Sequence, residues 1–206
     1  MKAWASAVLL LIAAWLAAAD GRRPNVLVIL ADDLGYSDLG SYGGEIPTPH
    51  LDRLAKSGAR FEKCYNSARC CPTRASLLTG LHPHQAGIGH MLNDDGVDSY
   101  RGELSRRSVT MAEALKPAGY RNYIAGKWHL GHARREFLPL ANGFTRFYGH
   151  YNGALDYFTH ERDGETDWHD NDRTARETGY ATDLLGNAAA RFVREAAVGP
   201  PWFLYV

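Results

Sequence analysis

The sequence predicts an α/β protein, a mainly parallel sheet flanked by helices, from three observations. Asn25 to Ala31 reads Asn-Val-Leu-Val-Ile-Leu-Ala. A continuous β-branched and apolar run suits a strand covered on both faces, as parallel strands are. Apolar strand-like runs then alternate with helical periods along the chain, the order that builds a parallel sheet. The last pair is a helical stretch from Thr178 to Ala197, followed by the apolar run Trp202 to Val206.

Bulk properties narrow the function. The 206 residues carry 23 basic and 23 acidic side chains. That balance gives no electrostatic case for nucleic acid or for an anionic membrane surface. The length allows one domain with a sizeable core. Residues 1–19 differ in character: Lys2, then an apolar run from Val8 to Leu16, then Ala17-Ala18-Ala19 before Asp20. This is the pattern of a secretory signal cut near Ala19, and the apolar run is short for a bilayer span. An exported protein, periplasmic or secreted, with no stable membrane anchor is expected. Three cysteines, Cys64, Cys70 and Cys71, do not make a disulfide scaffold. If Cys70 is modified, whether Cys64 and Cys71 pair is open.

Each element has a local cause. The first strand runs into Asp32-Asp33-Leu34-Gly35. Ligands of open α/β sheets bind beyond the carboxyl ends of strands. Adjacent carboxylates there repel unless a cation lies between them, and hard oxygens favour Ca²⁺ or Mg²⁺ over Zn²⁺. The alternative is a solvated turn in which one Asp caps a helix. Thr48 to Gly58 is a helix, capped by Thr48, with Pro49 in its first turn and Gly58 as its stop. Phe61 to Tyr65 is extended or a short strand. Ser67 to Gly80 is a polar entry and a short helix, with Pro72 in the first turn and Gly80 as a left-handed cap. That places Cys70 at a helix N-terminus and Arg74 one turn on, together an anion site.

Residues 81–91 form a Gly- and Pro-bearing loop. His82, His84 and His90 within it lack a cysteine or carboxylate to complete a zinc set. Thr110 and Glu113 make a capping box for a helix ending near Gly119, and Tyr120 to Ala125 is the next strand. Gly126-Lys127-Trp128-His129-Leu130-Gly131 follows. Kept extended, Lys127 and His129 would share one side, presenting an ammonium and an imidazole to one pocket, or else a polar strand end to solvent. Phe144 to Asp172 reads as a long polar–aromatic loop, either lining a sugar or aryl pocket or carrying its own small core. The helix from Thr178 offers Tyr180, Leu184, Leu185, Ala188, Phe192 and Val193 on one broad apolar face, until Pro200-Pro201 breaks it.

Cys70, Pro72, Thr73 and Arg74 spell C-x-P-T-R, with Leu78-Thr79-Gly80 behind. This resembles the signature of the type I sulfatases, whose N-acetylgalactosamine-4-sulfatase and arylsulfatase groups it is most like. The Asp pair after a strand and G-K-W-H-L-G fall in the family's order, so the resemblance covers Pro24 to Val206. It implies an alkaline-phosphatase-like fold and hydrolysis of sulfate monoesters. It implies that Cys70 becomes formylglycine through a maturation enzyme, and that Asp32, Asp33 and the oxygen at position 70 bind Ca²⁺, with Mg²⁺ second. Arg74 and Lys127 would hold that group and the sulfate charge. His129 matches the histidine that takes a proton from the hydrated aldehyde. One geminal hydroxyl attacks sulfur and expels the alcohol, and deprotonation of the other releases sulfate and regenerates the aldehyde. The substrate class implied is a small-molecule or sugar sulfate ester. The resemblance also puts an Asp-Asn metal pair, a second histidine and a second lysine beyond Val206. Residues 24–206 are therefore expected to be the N-terminal part of a catalytic domain, inactive alone. The alternatives are phosphate or phosphonate ester hydrolysis, shared by the same superfamily, and a secreted binding protein in which Cys70 stays a thiol.

Overall fold

The computed structural model describes residues 23–206, so the signal sequence read over 1–19 lies outside the described residues. The first strand, β1, is Val26–Val28. After it come helix α1 (Pro49–Ser57), helix α2 (Cys70–Thr79) and the short helix α3 (Met111–Leu115). Strands β2 (Arg121–Lys127) and β3 (Arg146–His150) follow. Four two-residue strands come next: β4 (Glu161–Arg162), β5 (Glu165–Thr166), β6 (His169–Asp170) and β7 (Arg173–Thr174). Helix α4 (Ala181–Glu195) and strand β8 (Trp202–Tyr205) close the chain.

The main sheet runs β1-β8-β2-β3-β6-β7. Its first four strands are parallel, and β6 and β7 are added antiparallel. Strand β8 lies between β1 and β2, and all four of its residues are buried. Alternation along it supplies both faces of the sheet. Phe203 and Tyr205 join one core with Ile124, Phe147, Leu78 of α2 and Ala112 of α3. Trp202 and Leu204 join the other with Ala125, Tyr148 and Ala188 and Phe192 of α4. Helices cover both faces, and the expected fold class is the one observed.

Local signals explain the element ends. Gly80 takes φ 69° and donates to Ser76 at 2.8 Å, the left-handed cap the sequence predicts. The capping box is present: Thr110 N donates to Glu113, and Glu113 N to Thr110 Oγ1, at 2.8 and 3.1 Å. Thr48 stands at the N-cap of α1, but its hydroxyl accepts from Gly40 N and donates to Asp52, so it ties the helix to the preceding turn. Phe61 to Tyr65 is irregular and joins no strand.

One expectation needs correction. The polar–aromatic stretch is not all loop, because residues 146–150 form β3, paired with β2 over five residues. Its sequence, Arg-Phe-Tyr-Gly-His, hides the strand behind polar residues and a glycine. That glycine is required. A Cβ on Gly149 would stand 2.1 Å from the carbonyl oxygen of Gly126, so β2 and β3 approach this closely only without one. Beyond β3, Asp163-Gly164 turns the β4–β5 hairpin with both residues at positive φ.

Asn122 locks this scaffold. It is fully buried in β2 and donates from Nδ2 to the carbonyls of Ala112 and Gly143 at 2.7 and 3.0 Å. Asn122→Ala leaves two buried carbonyls short of a donor and should cost about 3 kcal/mol. Urea unfolding checks this; an unchanged midpoint would remove the lock from the account.

Candidate active site

The site lies at the carboxyl ends of the parallel strands. Past β1 the chain is held by Leu30 N donating to Val206 O at 2.9 Å, and then turns. Asp33 takes a positive φ of 53°, the turn that lets two consecutive carboxylates reach one cleft. That cleft, of about 230 Å³, is lined by Asp32, Asp33, Asn66, Arg69, Cys70 and Arg74 among others. Cys70 is the first residue of α2 and is part-buried. Arg74, one turn on and 3% exposed, donates to Lys127 O at 2.7 Å and Tyr205 Oη at 3.2 Å. Its guanidinium also stands 3.6 Å from Asp32 Oδ1.

Lys127 ends β2 and reaches Asp32 Oδ2 at 2.5 Å. Partial burial alone would raise the Asp32 pKa. The Lys127 hydrogen bond and charge, joined by Arg74, outweigh it and hold the carboxyl below its ordinary value. Asp32 is thus an ionised oxygen donor at neutral pH.

His129 departs from the extended geometry expected of it. The strand stops at Lys127, and His129 has φ 55°. Trp128 is buried and pinned by its indole N–H to Gly131 O and Phe137 O, while His129 N donates to Tyr151 O at 3.0 Å. A ring nitrogen of His129 comes within 4.8 Å of the sulfurs of both Cys70 and Cys71. Burial first, then the charges of Lys127 and Arg74, push its pKa down to about 3. The imidazole is therefore neutral at pH 7. Its Nδ1 has no hydrogen-bond partner among the described residues.

The donors fit a hard divalent cation. Two carboxylates line the cleft, and an oxygen at position 70 would add a third hard donor. Cys70, Cys71 and His129 make a softer trio, but a structural zinc site needs four ligands. Burial also pushes the Cys71 thiol up to about 12, against the thiolate that zinc binds. None of the loop histidines lines the cleft: His84 meets His82 and Tyr100, and His90 meets the cleft residue Arg69.

All six residues predicted for the site thus converge. Sequence reasoning missed others. His150 ends β3 in register with Lys127 and lines a larger cavity of about 470 Å³ with Asp32, Asp33, Arg74 and Lys127. Reading 146–150 as a strand would have found it. Gly153 lies so close to the His129 ring that a Cβ would come 2.3 Å from Cε1. In the aromatic stretch, Tyr157 lines that cavity, whereas His160 and Trp168 are buried and stack at 4.4 Å. The stretch thus lines the cavity at Tyr157 and carries a small buried core at His160 and Trp168. No helix among the described residues is long and apolar enough to cross a membrane.

Comparison with known proteins places this geometry. The family model described as Sulfatase matches residues 24–206. The chain belongs to the sulfatase family. It is similar to the arylsulfatase of Klebsiella aerogenes, 44% identical over 164 residues, covering 76% of this chain and 34% of that protein. The crystal structure of Ps i-CgsB in complex with k-i-k-neocarrahexaose superposes with TM-score 0.79 at 32% identity, covering 89% of this chain and 44% of that one. That of BT4656 with D-glucosamine-2-N,6-O-disulfate gives 0.70 at 28%, covering 89% and 34%. These neighbours carry the alkaline-phosphatase-like fold of sulfatases, and membership of the family implies a metal and a formylglycine in general terms. This sulfatase chain spans about a third of the Klebsiella relative and under half of either solved neighbour.

Two buried, neutral imidazoles beside the cleft should make the fold less stable in acid. His150 is also buried, and burial sets its pKa at about 4. Below pH 6.5 the unfolded chain binds a proton at each histidine that the fold does not take up until about pH 4 and about pH 3. Stability therefore falls as pH drops through that window, by up to about 1.4 kcal/mol per pH unit per histidine. Urea midpoints between pH 7 and pH 4 should show the slope. His150→Leu should remove roughly half of it, and an unchanged slope counts against the burial argument.

Proposed function

We propose that the parent protein hydrolyses sulfate monoesters with Cys70, converted to formylglycine by a maturation enzyme, as its nucleophile. One observation carries the proposal. Cys70 opens α2 in the cleft that holds Asp32 and Asp33, with Arg74 behind it and a His129 nitrogen within 4.8 Å of its sulfur. Asp32 and Asp33 would hold Ca²⁺, with Mg²⁺ the lesser candidate, together with an oxygen from the hydrated aldehyde at position 70. When bound, the ion favours the oxyanion form of that group.

The chain's own residues do the rest. Arg74 and Lys127 place two fixed positive charges where sulfate oxygens gather charge in the transition state. His129, neutral and unpartnered at Nδ1, accepts the proton that must leave position 70 before sulfate departs. The aldehyde suits this chemistry because its second hydroxyl lets the sulfated group collapse without water attacking a crowded sulfur. Sulfated sugars or aryl sulfates are the substrate class, in keeping with relatives named as arylsulfatases and a solved neighbour holding a sugar disulfate.

In this reading residues 1–19 are an export signal and residues 24–206 the N-terminal part of the catalytic domain. The described residues supply two carboxylates toward an ion that takes six to eight oxygens. The 206-residue chain alone should therefore turn over aryl sulfates far more slowly than the parent.

Mass spectrometry of the peptide carrying Cys70, from a maturation-competent host, should show loss of sulfur and two hydrogens and gain of one oxygen. An unmodified thiol there refutes the proposed nucleophile. In the parent protein Cys70→Ala should abolish sulfate release, and Lys127→Ala should lower kcat/KM by about 10²–10³. Faster turnover of an aryl phosphate than of the matching sulfate would move the protein to phosphate ester chemistry.

A further inference from the structure

We infer that Asp167 is a positioning residue for His129, acting through the backbone turn at residues 151–153. The inference rests on the reading of His129 as proton acceptor. Asp167 is 6% exposed and lies on the loop between β5 and β6. Its Oδ1 accepts from Tyr151 N at 2.9 Å and its Oδ2 from Asn152 N at 2.8 Å. A third donor, His169 Nε2, stands 3.1 Å from Oδ1. Tyr151 is fixed on its other sides too. Its ring stacks on His169 at 4.0 Å and on Phe147 at 5.1 Å, and its hydroxyl donates to Asn171 O.

The fixed turn grips His129 twice. Tyr151 O accepts the His129 backbone N–H at 3.0 Å, which holds a residue at φ 55°. Gly153, one residue past the Asp167 contacts, lies against the imidazole with no room for a Cβ. The carboxylate thus sets two successive peptide planes, and these set backbone and ring of the base. Asp167 reaches position 70 only through them, which is why it positions and does not catalyse. Replacing one carboxylate oxygen by an amide nitrogen turns an acceptor into a donor facing another donor. The turn must then shift, and a base displaced by about 1 Å loses on the order of 10²-fold in rate.

The test uses the matured full-length protein and four forms: wild type, Asp167→Asn, His129→Ala and the double variant. With an aryl sulfate, Asp167→Asn should lower kcat by about 10–100-fold and leave KM within about twofold. In the His129→Ala background it should cost nothing further. An equal loss in both backgrounds, or no loss of kcat, overturns the inference. A second readout does not depend on turnover. Diethyl pyrocarbonate should modify the buried His129 slowly, and several-fold faster in Asp167→Asn, read on its peptide by mass spectrometry. An unchanged rate also overturns the inference. Should His129→Ala keep wild-type kcat, the base assignment fails instead, and the protection experiment alone decides Asp167. If Asp167→Asn does not fold, Gly153→Ala presses on the same ring from the same turn. It should show the same dependence on His129, and independence would overturn the inference equally.

Discussion

Asp32 accepts from Lys127 at 2.5 Å although β8 separates the strands that carry them. This contact joins the end of β1 to the end of β2 across an intervening strand, and Arg74 completes the bridge. Its guanidinium touches Lys127 O, Tyr205 Oη on β8 and the far oxygen of Asp32. Three strand ends and helix α2 are therefore fixed by one carboxylate and two cations. The cations are nearly buried, at 3% and 8% side-chain exposure, whereas Asp32 keeps 38%. Buried cations without a partner cost several kcal/mol each, so the clamp cannot lose Asp32 cheaply. The exposed part of Asp32 faces the cleft, where an arriving cation and an arriving anion would redistribute the same charges.

How much of this was legible in the sequence follows from what each signal depends on. The α2 cap at Gly80, the Thr110 capping box and the β8 run depend on neighbours within a few residues, and all were readable. Local signals put Asp32 past a strand's carboxyl end and Cys70 with Arg74 at a helix N-terminus, but that the two meet in one site was implied only by the family resemblance. Strand β3 was not legible. Its Gly149 and His150 look like loop residues until the backbone of β2 is laid beside them. With β3 lost, His150 was lost too, because its place opposite Lys127 is a matter of register.

His129 shows the same limit at one residue. Alternation along an extended chain would set Lys127 and His129 on one side with Trp128 opposite. The structure reaches a similar grouping by another path. Trp128 is buried as alternation predicts, but His129 enters the left-handed region. For a residue with a Cβ that conformation costs about 1 kcal/mol or more, and it persists where surroundings over-determine it. Here the surroundings are the Trp128 indole bonds on one side and the Tyr151 carbonyl on the other. The indole's acceptors lie close by in sequence, but local propensity carries no trace of the Tyr151 carbonyl, which arrives from beyond β3.

The two cations that pair with Asp32 also keep His129 neutral, and that double use constrains the site more than any single contact. Burial is the larger cause of the lowered imidazole pKa, with Lys127 and Arg74 next. A site that gathers positive charge for an anionic ester disfavours a protonated histidine within it. The same field keeps the ring neutral at pH 7 and makes any imidazolium formed there short-lived. Asp32 opposes this, more weakly than either cation acts. The proton taken by His129 would thus be passed on readily, which suits a group that must be reset on each cycle. Geometry and charge meet at this one residue: the turn that Asp167 holds bears on where the ring lies, and burial with the cations of the Asp32 clamp bears on what charge it carries.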